Sequence, residues 1–431
     1  MFNCSGNLHS FPFFKNILSP SILALVFSFF IPSFYGYSKV EIGIDYLEKR
    51  KFDILRNKRI GLLTHPAGKN SLGESTVMVL KNAPQVNLVA LFGPEHGIYG
   101  DEKASVPVDD KIDHRTGLPV YSLYGKFRKP NEQMLANLDA LVIDLQDVGV
   151  RCYTYISCMK YAMEACFEHG VSVVVLDRPN PLGGLKTAGP MIDLEWISYV
   201  GAFPMPFVHG MTIGEIALWS KQTKGILNVD DLKRRQGILT VVPMNGWSRH
   251  MTWPSTGLTW YPTSPNIPHL DAVAGYPMTG LGAQLGNFKH GIGTKHPFRF
   301  LTFKGKTPEE LLESLKSQDL AGLDFRILSV KNSAGRTERG VYIIISDWHL
   351  WNPTALAFAM MELTARWQSP NPFLSAKKSE SSLFNKHVGS SAWWNYLVNA
   401  GNRVDRNKFM SRWEIDVQNF RKDIQSFLLY D

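Results

Sequence analysis

The stretch DALVIDLQD, residues 139–147, runs through four apolar positions, Ala140 to Ile143, and then ends in Asp144, Gln146 and Asp147. A strand with both faces covered reads this way, because parallel sheets carry helices on each side and leave no polar alternation. Three further runs share the design: RIGLLTH (59–65), VNLVALFG (86–93) and VSVVVLDRP (171–179). Helix-like segments near 74–81, 131–137 and 155–169 fall between them. Continuous apolar strands alternating with helices predict an α/β fold built on a Rossmann-like parallel sheet.

Each run closes on groups able to hydrogen-bond or move a proton. These are His65; Glu95 and His96; Asp144, Gln146 and Asp147; then Asp177, Arg178 and Asn180. In open α/β sheets the ligand crevice lies beyond the carboxyl ends of the strands, so four separate segments are expected to meet at one site. Asp and Asn also serve as helix caps and turn residues, a role open to any one of them alone. A dinucleotide does not explain the sheet: the nearest glycine pattern, GLGAQLG (280–286), has leucine in place of the third glycine and follows no clear strand. A phosphate-binding G-x-x-x-x-G-K-[ST] loop and a G-x-S-x-G elbow are also missing.

At 431 residues the chain exceeds what one core usually serves. The Pro- and Trp-rich segment 251–270 forbids regular elements, so the division is placed within it: a first domain over 39–262 and a smaller α+β domain over 263–431. The second half mixes strand-like FRILSV (325–330) and GVYIIISD (340–347) with helix-like TALAFAMMELTARW (354–367) and a basic amphipathic stretch over 406–429.

Residues 1–38 read as a cleaved secretory signal: Lys15 is the one charge, 22–31 is apolar, and Gly36 and Ser38 supply small residues near the cleavage point. A ten-residue apolar core falls short of the ~20 that span a bilayer, so a retained anchor is the lesser reading and no membrane span is expected after cleavage. The expected location is the periplasm or the exterior. Removing the segment takes away Lys15 and no acid, leaving a net charge of +7. The basic residues are scattered and do not form the stripe that nucleic acid requires. Cys158 and Cys166 on one helix would lie about 12 Å apart, too far to bridge, and no zinc spacing accompanies them.

The motifs ALFGPEHGIYG, DLQDVGVRCYTYI, VLDRPNPLGG, PFVHGMTIGEIA and SPNIP stand here in the order and spacing of a known family. On them the chain resembles the NamZ family of exo-β-N-acetylmuramidases, secreted glycoside hydrolases of peptidoglycan turnover. The resemblance covers the chain from about residue 43 to FLLYD at 427–431. It implies a Rossmann-like first domain that binds no nucleotide, a second domain closing a cleft, and no cofactor. The implied activity removes terminal N-acetylmuramic acid from the non-reducing ends of peptidoglycan fragments.

Glycoside cleavage needs an acid at the leaving oxygen and a group that stabilises or attacks the oxocarbenium-like centre. Glu95 is expected as the acid. Asp147, beside Val148 and Gly149, is the candidate for the second group, with Asp144 near it; alternatively the substrate's acetamido group attacks, and an Asp or Tyr153 orients it. The lactyl carboxylate of muramic acid calls for a cation, for which Arg151 and Arg178 are expected, with a structural ion pair as the other role of each. His96 and His209 are candidates to donate to sugar hydroxyls, and Gln146, Asp177 and Asn180 to line the substrate. Glu215, three residues after Thr212, has capping-box spacing.

One stretch departs from the family. Where it typically carries Glu-Gly-Thr-Asn and then Gly-Arg-Gly-Thr, this chain reads AQLGNFKHGIGTKHPF from 283, placing Gln284 at the glutamate and Ile292 at the arginine. Asn287 still fits, and Gln284 and Asn287 are carried as substrate contacts. Glutamine is neither acid nor nucleophile near neutral pH, so a glycan-binding protein without turnover stands as the second reading. A metal-dependent hydrolase using His65, His96 and the aspartates stands third.

Overall fold

The larger sheet is built from Arg59–Thr64 (β1), Asn87–Gly93 (β2), Lys111–Ile112 (β3), Pro119–Ser122 (β4), Ala140–Asp144 (β5), Ser172–Leu176 (β6) and a later strand. A separate two-stranded ribbon, Ala188–Met191 (β7) with Pro206–Val208 (β8), precedes that last strand, Leu239–Val242 (β9). The order is β3-β4-β2-β1-β5-β6-β9, parallel throughout except β3, which runs against β4. The period of two sorts side chains between two cores. Leu62, Val142 and Val174 enter one, while Leu63, Ile143 and Val175 enter the other. The chain passes from β1 outward to β2 and β4, then returns to the far side of β1 with β5. The reversal therefore falls between β1 and β5, where an open sheet parts to admit a ligand.

The helix Tyr155–Glu168 is buried on nearly every side, packed on β6 and on helices Ile213–Gln222 and Asp231–Gln236. Helix Gly43–Lys49 covers β6 and β9. The Pro- and Trp-rich segment holds one short 3-10 turn, Trp253–Thr256, before helix Leu270–Thr279 begins.

The second sheet is antiparallel: Phe288–Lys289 (β10), Phe300–Phe303 (β11), Leu323–Lys331 (β12) and Thr337–Ile345 (β13), in the order β10-β11-β13-β12. Helix Pro308–Lys316 packs on β12 and β13, and Ala355–Trp367 on Leu270–Thr279. The amphipathic stretch forms helix Asn407–Asp423, which lies on β7. Residues 428–431 then return to the first sheet. There Leu429 N–H donates to Glu215, Tyr430 hydroxyl to Asp177, and Arg249 N–H to the Asp431 carbonyl.

This computed structural model describes residues 40–100 and 111–431, which fall within one compact unit. The expected signal at 1–38 lies outside them. Among the described residues no helix is long and apolar enough to cross a membrane. Cys152, Cys158 and Cys166 are free and buried.

Candidate active site

Most of the polar residues at the strand ends are bonded to one another. The Arg178 guanidinium pairs bidentately with Asp144, Nε to Oδ1 at 2.5 Å and an η nitrogen to Oδ2 at 2.8 Å. Thr76 donates to the same Oδ2, and Arg178 also donates to the Lys69 carbonyl. Both partners are buried. Arg178 is thus engaged in the structural ion pair, the other role open to it.

His65 Nε2 accepts the Gln146 N–H at 2.8 Å. Burial, with Arg178 and His96 nearby, holds His65 well below its ordinary value, so it stays neutral. The Gln146 amide donates to the carbonyls of Asp147 and Pro179. His209 Nδ1 accepts the Met211 N–H, which leaves Nε2 as the protonated nitrogen, and this donates to Asp147 Oδ2 at 3.1 Å. The Gly149 N–H donates to that same oxygen at 2.6 Å. Gly149 has φ +81°, and a Cβ there would stand 2.5 Å from Asn180 Oδ1, so the turn beside Asp147 admits no side chain. Asn180 itself donates to the Met211 carbonyl and accepts from Leu182.

Two assignments are corrected by burial. Arg151, expected at the lactyl carboxylate, is fully buried and donates to four carbonyls, those of Pro190, Met205, His387 and Val388. Its role is to join β7, the approach to β8 and the end of helix Lys378–Val388. Asp177 is likewise internal, accepting from Arg178 N–H, Gly214 N–H, Thr212 and Tyr430. Burial pushes it up to about 7, against the hydrogen bonds from Tyr430, Gly214 and Thr212. Glu215 closes the capping box with Thr212, as its spacing predicts, and also pairs with Arg249 at 2.8 Å.

A second set of residues lines an open pocket of about 160 Å³. Glu95, His96 and Tyr153 from the expected residues meet there with Thr154, Tyr155, Asn266, Tyr276 and Phe298. Glu95 is half-buried and, among the described residues, is the one carboxylate in the lining. Thr154 hydroxyl approaches its Oε2 at 3.4 Å. Its charge adds to the rise that burial imposes on the phenols of Tyr124, Tyr155, Tyr199 and Tyr276, so the carboxylate stands among four tyrosines. The two sets touch at Tyr155, whose ring meets His65 edge-on at 4.6 Å.

The 251–270 segment supplies more than a division. Thr263 accepts from Tyr153 at 2.7 Å through its hydroxyl and from Tyr155 at 2.6 Å through its carbonyl. Ser264, Asn266 and Ile267 continue the wall. Tyr153 lines the pocket and gives its hydroxyl proton to Thr263, which leaves the phenol oxygen as an acceptor.

Two wall residues carry strained backbone. His96 has φ +73° and Phe298 φ +63°, a region non-glycine residues enter at a cost of roughly 1–3 kcal/mol. Phe298 is held by Gly275, where a Cβ would lie 2.7 Å from its carbonyl, and by Thr279, which donates to that carbonyl. Tyr276, Phe298 and Thr154 were not expected from sequence. Tyr276 and Phe298 belong to the second half; Phe298 closes the stretch that departs from the family, where it still fits the family pattern, and nothing local marks Tyr276. Gln284 and Asn287 are not in the wall. Gln284 follows helix Leu270–Thr279 with its Oε1 enclosed and unbonded, and Asn287 N–H donates to Gln368. Ile292 is exposed and lines a different hollow beside Lys289 and Arg336. Among the described residues no cluster of three or more His, Cys, Asp or Glu is placed to hold a metal ion.

A parallel sheet covered on both faces, an antiparallel companion and an acid among tyrosines at the strand ends define a two-part α/β protein with the makings of a glycosidase. The comparisons agree with that class. The description "Exo-beta-N-acetylmuramidase NamZ, N-terminal" matches residues 60–271, and its C-terminal counterpart matches 274–430. The peptidoglycan β-N-acetylmuramidase NamZ of Bacillus subtilis is 38% identical over 397 residues, covering 91% of this chain and 92% of its own length. Crystal structures of two DUF1343 family proteins from Bacteroides fragilis superpose with TM-scores of 0.82 and 0.68, at 36% and 28% identity. Each alignment covers 91% of this chain and 99% of the other. The chain belongs to the NamZ family of exo-β-N-acetylmuramidases.

Proposed function

We propose that this protein is an exo-acting glycoside hydrolase that releases N-acetylmuramic acid from the non-reducing ends of peptidoglycan fragments. The observation that carries the reading is Glu95, among the described residues the one carboxylate in a tyrosine-walled pocket on a chain of this family. In this reading Glu95 protonates the glycosidic oxygen and later draws a proton from water. Asp147 is not in the lining, and its Oδ2 already accepts from Gly149 and His209. Among the described residues no second carboxylate joins Glu95 in the lining, which favours a substrate-assisted course, in which the 2-acetamido oxygen attacks the anomeric carbon, over a carboxylate pair. Gln284 stands outside the wall, so its departure from the family pattern does not remove the acid.

The test is sugar release from a muramoyl-glucosamine disaccharide by the chain from residue 39 onward. Glu95→Gln is expected to lower turnover by about 10²–10⁴, the usual contribution of a general acid, while the melting temperature holds. Wild-type protein that binds the disaccharide without cleaving it would sink the reading.

We further propose that the activity is exerted outside the cytoplasm, supported by the apolar stretch at 22–31 and the small residues at 36 and 38. Amino-terminal sequencing of protein recovered outside the cell should begin near residue 39; a start at Met1 would contradict it. The division of the chain in the 251–270 segment is kept as part of this proposal.

A further inference from the structure

The muramic acid reading leaves its lactyl carboxylate without a receiver, since Arg151 and Arg178 are both committed to internal bonds. The sheet supplies another cation. β2 and β4 are parallel neighbours in which Gly93 pairs with Ser122, and the Leu123 N–H donates to the Gly93 carbonyl. Glu95 lies two residues beyond Gly93, and Tyr124 two residues beyond Ser122, so both emerge side by side from the same edge. Arg128 follows in the loop after β4.

The Arg128 guanidinium carbon stands 3.8 Å from the centre of the Tyr124 ring and 4.4 Å from that of Tyr199. Both rings respond to Glu95 as well as to Arg128: the carboxylate adds to the rise in each phenol's pKa, and the guanidinium opposes it. Glu95 and Arg128 thus act on the same two phenols.

Arg128 also borders a larger cleft of about 690 Å³ that contains Lys126, Lys129 and Lys160. Lys129 is spent on Glu168 at 2.7 Å and Glu164 at 3.8 Å, and Lys160 on the Ala202 carbonyl. Among the described residues Arg128 pairs with no carboxylate. Stacking on two rings and hydrogen bonding to the Tyr124 and Tyr199 side chains orient the guanidinium, and its remaining N–H groups suit a planar anion such as a carboxylate.

We propose that Arg128, oriented by Tyr124 and Tyr199, receives the lactyl carboxylate and so selects muramic acid over its unsubstituted parent sugar. This rests on the muramic acid reading but not on turnover. In muramic acid the ether bearing the carboxylate sits on C3, two ring atoms from the anomeric carbon. Glu95 and Arg128 follow neighbouring parallel strands, β2 and β4, out of the same sheet edge. Tyr124 and Tyr199 are positioning residues in this scheme, and Arg128 is the specificity determinant.

Calorimetric binding of free N-acetylmuramic acid and of N-acetylglucosamine separates the possibilities. Wild type is expected to prefer the acid sugar. Arg128→Gln should cost roughly 10- to 100-fold of that affinity, as expected for one charged hydrogen-bonded contact, and leave N-acetylglucosamine binding unchanged. Arg128→Lys should recover part of the loss, and both variants should melt with the wild type. Wild type that shows no preference, or Arg128→Gln that still prefers muramic acid, overturns the proposal. Preferential binding without sugar release would support this site while removing the proposed activity.

Discussion

Arginine 151 and arginine 128 show how little a residue's neighbours in sequence say about its task. Arg151 stands inside the motif shared with the family, yet its guanidinium is sealed against four carbonyls, and burial lowers its pKa to about 10, still charged at neutral pH. Arg151→Gln should destabilise the fold by roughly 3 kcal/mol or more, because each carbonyl left without a donor costs about 1–3 kcal/mol. Thermal melting reads this directly, and a melting temperature equal to wild type would disprove the structural role. Arg128→Gln should melt as wild type does, so the two arginines separate by stability. Glu95 and His96 were legible because glycines flank them after a dry strand. Tyr276 and Phe298 were not, because their place in the wall is made by contacts between distant segments, such as Gly275 against the Phe298 carbonyl.

Among elements, the four apolar runs all became central strands, each with its last polar residues just beyond the strand end. They were readable because a strand covered on both faces needs no alternation and stands out by hydrophobicity alone. β4 was missed: its four residues begin with Pro119 and alternate in burial, a weak signal for an element that sets the loop with Tyr124 and Arg128. The order of strands was also beyond reach, since it depends on which side of β1 each crossover takes. The helix Ile213–Gln222 was legible at its start through Thr212 and Glu215, but not in what its first turn encloses. Gly214 N–H and Thr212 both donate to Asp177, whose proton is held up to about 7 against an ordinary 3.8. The folded protein then binds a proton that the unfolded chain has already lost, so this group's contribution is full below about 4 and declines as pH rises to about 7. His65, held low, works in the opposite direction on the same axis. Urea unfolding at pH 5 and pH 8 should therefore show the stability difference between wild type and Asp177→Asn shrinking toward pH 8. A difference that stays the same at the two pH values would mean Asp177 is ionised throughout.

For the molecule as a whole, the two halves contribute to one pocket and share one continuous apolar core, from Leu63 and Phe92 through Tyr155 to Phe298 and Trp393. Composition and pattern could separate an α/β half from an α+β half, but not foresee that the segment between them would wall the pocket through Thr263, Ser264 and Asn266. Nor could they foresee where residues 428–431 go. Those residues close over Asp177 and Glu215, and the Tyr430 hydroxyl bridges 253 positions of sequence to reach its carboxylate. During synthesis on the ribosome, β6 and the helix after it are made long before the groups that complete their surroundings. Until residue 430 has emerged, Asp177 lacks its tyrosine and Glu215 one of its amide donors, and the first half waits in an unfinished state. A contact of such span is slow to form and is made after local structure has condensed. Asp177 and Glu215 thus lack these two partners for almost the whole of the chain's translation.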